Sequence, residues 1–229
     1  MPKHLTLTMG ATLMFLMSFG GFSCDRPGHT PTDLPEAQVN DEPPATEAEV
    51  REAVFAGGCF WCVEAVFAQL DGVHEVVSGY AGGTAETARY DVVSSGSTDH
   101  AEVVRVTYDP AKITYGDLLR VFFATHDPTQ LNQQGPDHGR QYRSAVFYKD
   151  DNQRRIAEAY MEQLSASGVY DAPIMTTLEP LEAFYPAEQI HQDFVDRNPT
   201  HPYVRRWAAP KLEKVQTQFA DQVRSQETE

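Results

Sequence analysis

Apolar residues recur along the chain at two different spacings, and these spacings predict its strands and helices. In the string CFWCVEAVFAQL, the residues Phe60, Val63, Phe67 and Leu70 stand three or four positions apart, as on the buried face of an α-helix. A short apolar run at residues 52–56 and two glycines precede this string, and such a run is typical of a strand. The sequence therefore predicts a strand, a glycine turn and a helix that begins at a cysteine.

Further elements follow without a strict alternation of strand and helix. Strands are predicted at residues 73–78, 101–108, 144–148 and 174–178, and helices from Thr114 to the Asp127-Pro128 junction, at 150–166 and at 186–194. Such mixing favours an α+β two-layer domain over a doubly wound sheet. A polar stretch at residues 127–141 has no periodicity, and loops of this length usually carry function.

The first residues of the chain have the composition of a targeting segment. Lys3 and His4 precede an apolar run at residues 5–22, which is typical of a signal-peptide core rather than of a membrane-spanning helix. The run leads into Gly-Phe-Ser-Cys, which resembles a bacterial lipoprotein cleavage box and makes Cys24 a candidate lipidation site. Simple cleavage and an uncleaved anchor are the alternatives. The expected location is the periplasm or cell envelope, with a lipid anchor to a membrane if Cys24 is modified.

Composition divides the rest of the chain into a folded part and two polar ends. Residues 25–50 are rich in Pro, Thr, Asp and Glu. Such a segment cannot bury enough surface to offset its ordering entropy, so a flexible linker is predicted. The predicted organisation is a signal peptide at 1–24, a linker at 25–50, one domain at 51–210 and a polar tail at 211–229. We expect this domain to be a monomer.

Charge and motif content argue against several classes of partner. The chain carries 18 Lys and Arg against 33 Asp and Glu, a formal net charge of -15, and it has no basic run that follows a phosphate backbone. We therefore expect no nucleic-acid partner. His100, His126 and His138 are too scattered to form a paired ligand spacing with the cysteines, and no Gly-rich phosphate loop follows a strand. We expect neither a bound metal nor a nucleotide cofactor.

The cysteines carry the first sign of chemistry. There are three, at positions 24, 59 and 62, which is too few for a disulfide framework. Cys59 opens a helix, where backbone N–H groups and the helix dipole stabilise a thiolate. Cys62 lies one turn later, and in such dithiol motifs the second sulfur can attack the first. The alternative is that both are small buried hydrophobic residues.

The string around these cysteines is part of a longer series of motifs. In order, these are GGCFWCVE at 57–64, SGYAGG at 78–83, HAEVV at 100–104, HDPT at 126–129, QYRS at 141–144 and FYPAE at 184–188. Together they closely resemble the signature of the type A peptide methionine sulfoxide reductases, over residues 52–207. Cys62 stands where that family usually has Gly, and a variant with Cys there occurs within it. The resemblance implies a two-layer sandwich with a mixed sheet and a ferredoxin-like core, with the nucleophile at the N-terminus of the first helix.

The resemblance also implies a reaction. Members of the family reduce methionine S-sulfoxide to methionine, in peptides, in proteins and as the free amino acid, and so repair oxidised proteins. A sulfoxide is a poor electrophile until its oxygen is protonated, so Cys59 as nucleophile needs an acid, and the resemblance assigns that task to Glu102. A partly apolar pocket is expected to raise the pKa of Glu102. Tyr90 and Tyr142 match the two family tyrosines that hydrogen-bond the sulfoxide oxygen.

Three more residues match the family's pocket. Phe60 and Trp61 fit the apolar site for the S-methyl group of the substrate. Asp137 matches the acidic residue near the reactive sulfur, although its neighbours Pro136 and His138 replace the commoner Asn and Arg.

After oxygen transfer Cys59 is a sulfenic acid, which condenses readily with a nearby thiol. No cysteine follows Cys62 in the sequence, and Val204 stands where members with a tail cysteine often have one. We therefore expect Cys62 to resolve Cys59, with a thioredoxin-like protein then reducing the disulfide. Direct reduction of the sulfenic acid by another thiol is the alternative.

Two other functions compete with this interpretation. An envelope thiol–disulfide oxidoreductase would use Cys59 and Cys62 but would have no use for Glu102, Tyr90 and Tyr142. A tethered binding module that recognises oxidised methionine on an inactive fold would need neither Cys59 nor Glu102 intact.

Overall fold

A mixed six-stranded sheet lies at the centre of the protein, in a computed structural model that describes residue 1, residues 33–44 and residues 49–225. The strands are β1 (Arg51–Gly57), β2 (Val73–Ala81), β3 (Ala101–Tyr108), β4 (Gln133–Gln134), β5 (Asp137–His138), β6 (Ser144–Tyr148), β7 (Thr177–Pro180) and β8 (Phe184–Pro186). The sheet has the order β7-β6-β1-β3-β2-β8, and β4 and β5 form a separate ribbon. β6 and β7 are parallel, whereas the other neighbours in the sheet are antiparallel.

The helices connect these strands in a recognisable pattern. They are α1 (Phe60–Ala68), α2 (Tyr90–Val93), α3 (Tyr115–Thr125), α4 (Asp151–Ser167), α5 (Phe194–Arg197) and α6 (Ala209–Gln218). α1 lies between β1 and β2 in the chain, and α3 lies between β3 and β6. The strand order β6-β1-β3-β2 with these two crossovers is the ferredoxin-like arrangement. The predicted α+β class with a ferredoxin-like core is confirmed.

The two faces of the sheet are packed differently, because side chains alternate along a strand. Phe55 of β1 faces the helices and stacks on Phe67 and Phe122, with ring centroids 5.2 and 5.0 Å apart. Its neighbour Val54 belongs to a smaller cluster, against which Phe184 packs. The main core therefore lies between the sheet and the helices, and it fixes α1, the helix that carries both cysteines.

One predicted strand is displaced along the chain. The strand expected at residues 174–178 is found at Thr177–Pro180. It pairs in parallel with β6, with Thr177 opposite Ala145, and this long-range pairing determines where it begins. Ile174 packs against the main core from the preceding loop, which accounts for the apolar character that predicted a strand there.

The helix predicted at residues 186–194 is wrong. The chain passes through strand β8 and an irregular turn, and helix α5 begins only at Phe194. Glu188 explains the difference, because its carboxylate accepts hydrogen bonds from the Tyr80 hydroxyl and the Tyr90 backbone N–H, both at 2.9 Å. These tertiary contacts override the local propensity.

Part of the predicted flexible linker packs on the domain, so that prediction is wrong for residues 33–44. Leu34 is only 2% exposed and belongs to the main core. The carboxylate of Glu42 and the side-chain oxygen of Asn40 accept the first two backbone N–H groups of α3, at 2.8 and 3.0 Å. Helix N-termini leave such groups without partners inside the helix. A segment with the composition of a linker thus caps the N-terminus of α3.

The predicted polar tail from residue 211 also belongs to the fold. α6 buries Val215, and Phe219 just after it is buried as well. Val223 forms a β-bridge with Leu70 at the end of the turn after α1. The domain therefore extends beyond residue 210, and the spacing of Leu212, Val215 and Phe219 is the amphipathic signal that would have predicted this helix.

The predicted signal peptide, including Cys24, lies outside the described residues. Within the described part of the chain, no helix is both long and apolar enough to cross a membrane.

Candidate active site

Cys59 stands at the junction between β1 and α1, as predicted. The preceding Gly58 has a φ of +92°, which L side chains rarely adopt, and a Cβ there would collide with the side chain of Gln134. This turn brings Cys59 to the N-cap position of α1, with φ -56° and ψ 120°. The Cys62 N–H donates to the Cys59 carbonyl at 3.1 Å, so the two cysteines lie one turn apart.

The first backbone N–H of this helix does not donate a hydrogen bond to the Cys59 sulfur. Phe60 N–H donates to Oε2 of Glu102 at 3.1 Å instead. Burial raises the pKa of Cys59 well above its ordinary value, and its neighbours Cys62 and Glu102 act in the same direction. Burial at this position therefore opposes the stabilisation of a thiolate that the start of the helix was predicted to give.

Glu102 is a buried carboxyl beside the nucleophile. It lies on β3, opposite Tyr80 of β2, and is 2% exposed. Burial raises its pKa to about 8; the Phe60 N–H acts against this rise, and the charge of Asp137 adds to it. At neutral pH the carboxyl is therefore protonated, as the predicted role requires.

The two predicted tyrosines lie in electrostatic range of this pair. Tyr90 begins α2, and Tyr142 ends a short 3-10 turn before β6. Burial raises the pKa of both phenols, and nearby acidic groups, among them Asp137, raise it further. Both phenols thus stay neutral and can donate hydrogen bonds at the site.

Aromatic side chains surround the start of α1. Trp61 stacks on Phe194 with ring centroids 3.7 Å apart and planes 9° apart, and its Nε1 donates to Nδ1 of His191 at 3.3 Å. Phe60 is fully buried and lies 5.4 Å from the His191 ring. The edge of Tyr203 meets Trp61 at 5.8 Å. Further aromatic rings thus pack against Phe60 and Trp61, the two residues predicted to form the apolar pocket.

Three of these aromatic side chains could not be predicted from the sequence. His191, Phe194 and Tyr203 lie far from α1 along the chain, and no spacing connects them with it. His191 follows the FYPAE motif closely and was the most accessible of the three to prediction. The other two carry no local signal.

Asp137 lies near the sulfurs, as predicted, but through an unexpected partner. The Tyr203 hydroxyl donates to Oδ2 of Asp137 at 2.5 Å and lies close enough to the two cysteines to lower their pKa values. Burial raises the pKa of Asp137, whereas the hydrogen bond from Tyr203 lowers it. Asp137 thus holds a phenol against Cys59 and Cys62.

No set of three His, Cys, Asp or Glu side chains within the described residues is arranged to hold a metal ion. Cys59 and Cys62 are both free thiols. A thiol nucleophile, a protonated carboxyl and neutral phenols on this α+β fold define a thiol-dependent oxidoreductase.

Comparisons with known proteins identify the family of this thiol-dependent oxidoreductase. The family model described as peptide methionine sulfoxide reductase matches residues 51–223. The chain is 51% identical to the peptide methionine sulfoxide reductase MsrA 2 of Synechocystis sp. over 195 residues, which are 84% of this chain and 91% of that protein. It is 57% identical to the MsrA of Natronomonas pharaonis over 173 residues, covering 76% and 97%. The chain belongs to the peptide methionine sulfoxide reductase family.

Solved structures agree with this assignment. Reduced Mxr1 from Saccharomyces cerevisiae matches with a TM-score of 0.62 and 36% identity, over 69% of this chain and 91% of that one. Methionine sulfoxide reductase A of Corynebacterium diphtheriae matches with a TM-score of 0.59 and 32% identity, over 76% and 87%.

Proposed function

We propose that Cys59, Glu102, Tyr90 and Tyr142 carry out the reaction of this family, the reduction of methionine S-sulfoxide to methionine. The observation that supports these roles best is the buried carboxyl of Glu102, whose pKa burial raises to about 8 and which accepts the Phe60 N–H at the start of the helix that follows Cys59. A protonated acid beside a cysteine is what a sulfoxide, but not a disulfide, requires.

The oxygen moves from the substrate sulfur to Cys59. Tyr90 and Tyr142 donate hydrogen bonds to the sulfoxide oxygen, and Glu102 gives it a proton, so the substrate sulfur becomes electrophilic. Cys59 attacks the substrate sulfur, and its thiol proton replaces the one that Glu102 gave. The bond between the substrate sulfur and its oxygen then breaks as the oxygen passes to Cys59. The substrate gains two electrons and leaves as methionine, and Cys59 loses two and becomes a sulfenic acid.

The aromatic pocket orients the substrate for this attack. Trp61 is held flat by Phe194 on one face and by its hydrogen bond to His191. A rigid indole beside Phe60 offers an apolar surface to the S-methyl group while the oxygen points to the polar groups. This arrangement discriminates between the two sulfoxide epimers. In the R epimer the methyl group and the oxygen exchange places, so the oxygen would lie against the apolar rings of Phe60 and Trp61.

Cys62 is placed to resolve the sulfenic acid. It lies one helical turn from Cys59, and its backbone N–H donates to the Cys59 carbonyl at 3.1 Å. Condensation of the two forms a disulfide and releases water. An external thiol then restores both cysteines, and a thioredoxin-like protein is the partner expected from the sequence.

Mass spectrometry after one equivalent of substrate tests this cycle. We expect the wild-type protein to lose two hydrogens and form the Cys59–Cys62 disulfide, whereas Cys62→Ser gains one oxygen on Cys59. Both proteins release one methionine, because Cys62 acts only after oxygen transfer. A wild-type protein that accumulates sulfenic acid while Cys62 remains a free thiol would show that an external thiol reduces Cys59 directly.

Thiol–disulfide exchange is less well supported as a function. Such chemistry needs an exposed, ionised sulfur. Cys59 is 8% exposed with a raised pKa, and the acid and phenols around it would have no role.

We also propose that the protein is exported, with Cys24 as a lipid anchor. The apolar run at residues 5–22 and the cysteine that follows it support this proposal. Expression of the full chain and of Cys24→Ala, followed by membrane fractionation, tests it: the wild type is expected with the membranes and the variant in the soluble fraction. A Cys24→Ala protein that still partitions with membranes would contradict the lipid anchor.

A further inference from the structure

A cavity of about 770 Å³ opens beside the cysteine pair. Cys59 and Cys62 line its inner end, and its walls come from the loop around β4 and β5 and from the chain at residues 203–214. None of Glu102, Tyr90 and Tyr142 lines it. The volume lies in the range of small-molecule sites, roughly 300–1,000 Å³. The cysteine pair thus faces both the sulfoxide site and a second space.

The outer wall of this cavity is cationic, although the chain as a whole is strongly acidic. Arg206, Lys211 and Lys214 all line it. The positive charge of Lys211 lowers the pKa of Cys62 and of Asp137, so its ammonium group lies within electrostatic range of the Cys62 sulfur. Within the described residues, neither Arg206 nor Lys211 forms an ion pair with a carboxylate.

The acidic residues in the cavity are occupied by other groups. Asp127 accepts hydrogen bonds from Thr129 and from Gln130, and Asp137 accepts one from Tyr203. Both oxygens of Asp127 and one oxygen of Asp137 therefore have donors within the protein. The cavity presents cations to an entering molecule.

We propose that this cavity binds a low-molecular-weight thiol that carries carboxylate groups, and that this thiol delivers reducing equivalents to Cys62. The inference rests on the proposed function, because it names the reductant of the same cysteine pair. Arg206 and Lys211 would bind the carboxylates by charge-assisted hydrogen bonds. Cys62 is only 2% exposed. A small thiol can enter the cavity and reach this sulfur, whereas a protein partner would have to bring its own surface to it.

The chemistry takes two steps. The thiolate of the first small thiol attacks the Cys62 sulfur of the disulfide; a mixed disulfide forms, and Cys59 leaves as a thiolate that takes up a proton. A second small thiol attacks the outer sulfur, so that Cys62 leaves in turn. Two small thiols lose two electrons and two protons in forming their own disulfide, and the two cysteines gain them.

Steady-state reduction of methionine S-sulfoxide with glutathione or glutathione diethyl ester tests this inference. The two probes share the thiol and the peptide skeleton and differ in their carboxylates. We expect wild-type kcat/KM for glutathione to exceed that for the ester by about tenfold, the effect of one or two charge-assisted hydrogen bonds. Lys211→Gln and Arg206→Gln should each lose most of this preference. Lys112→Gln, a cation paired with Asp71 beyond the opposite end of α1, should keep it.

A single turnover without any added thiol distinguishes failure of the small-thiol site from failure of the proposed function. If wild type and both variants release one methionine per protein but use glutathione and its ester equally well, the small-thiol site is overturned and the proposed function stands. If no methionine is released, the proposed function itself fails. Turnover with a thioredoxin-like protein but none with millimolar glutathione would also overturn the site.

Discussion

Replacement of Cys59 by Ser is expected to abolish reduction of methionine S-sulfoxide, with a fall in the single-turnover rate of roughly 10⁴-fold or more. A serine hydroxyl cannot replace the sulfur, because oxygen is far less nucleophilic than sulfur toward a sulfoxide sulfur. Separated S and R epimers of a methionine sulfoxide peptide, incubated with dithiothreitol, give the measurement. Wild type should consume the S epimer only, and Cys59→Ser should consume neither.

Cys62→Ser is the matched control for this prediction. It makes the same atomic change one helical turn away, and it should still release one methionine per protein. Consumption of the S epimer by Cys59→Ser at a rate near that of wild type would remove Cys59 from its assigned role. If neither epimer reacts with wild type while a disulfide substrate is reduced, thiol exchange becomes the better account.

Glu102→Gln is expected to lower the single-turnover rate by roughly 10²- to 10⁴-fold, the usual contribution of a positioned acid. The amide has nearly the same shape and can still accept the Phe60 N–H, but it has no proton to give. Reduction of a disulfide substrate should be spared, because that reaction does not need an acid at this place. Stopped-flow measurement of methionine release in both proteins makes the comparison.

The pH dependence gives a second readout of the same residue. Because the pKa of Glu102 is about 8, the carboxyl is protonated below that pH, and wild-type activity should fall as the pH rises through about 8. Glu102→Gln has no such group and should lose this part of the profile. Its low activity should stay flat over the same range. A wild-type profile with no fall near pH 8 would contradict the protonated acid.

The free energy of unfolding should change with pH in the same direction as the activity. The folded-state pKa of Glu102 lies above its unfolded value of 4.5, so the folded protein binds more protons between pH 4.5 and about 8. The contribution of Glu102 to the free energy of unfolding therefore decreases as the pH rises through that window. Glu102→Gln is expected to be more stable than wild type above pH 8, by an amount that disappears below pH 4.5. Chemical denaturation at several pH values measures this difference.

Glu64→Gln is the control for both readouts. Glu64 lies on α1, and burial raises its pKa to about 7, yet it is not part of the proposed reaction. Its amide variant should change stability with pH in a similar manner and should leave the single-turnover rate within a few-fold of wild type. A loss as large as that of Glu102→Gln would mean that burial of a carboxyl, rather than proton donation, accounts for the activity.

The sequence by itself determined the local parts of this protein. The helix that starts at Cys59 and the strand that carries Glu102 follow from apolar residues at helical and alternating spacing, which depend only on near neighbours. The order of the motifs indicated the family and the residues of the site. It also led to the expectation of a protonated Glu102, from the apolar residues around it.

The tertiary structure alone decided what depends on distant neighbours. Pairing of β1 with β3 brings Glu102 to the Phe60 N–H across 42 positions, and burial in the folded domain raises the pKa of Cys59 where the helix position alone predicted that a thiolate is stabilised. His191, Phe194 and Tyr203 reach the site by the same kind of long-range packing. The segment at 33–44 and helix α6 are ordered because the surfaces that they cover exist only in the folded domain. Composition and spacing describe a segment by itself, whereas burial, pKa and register are properties of the surface against which it packs.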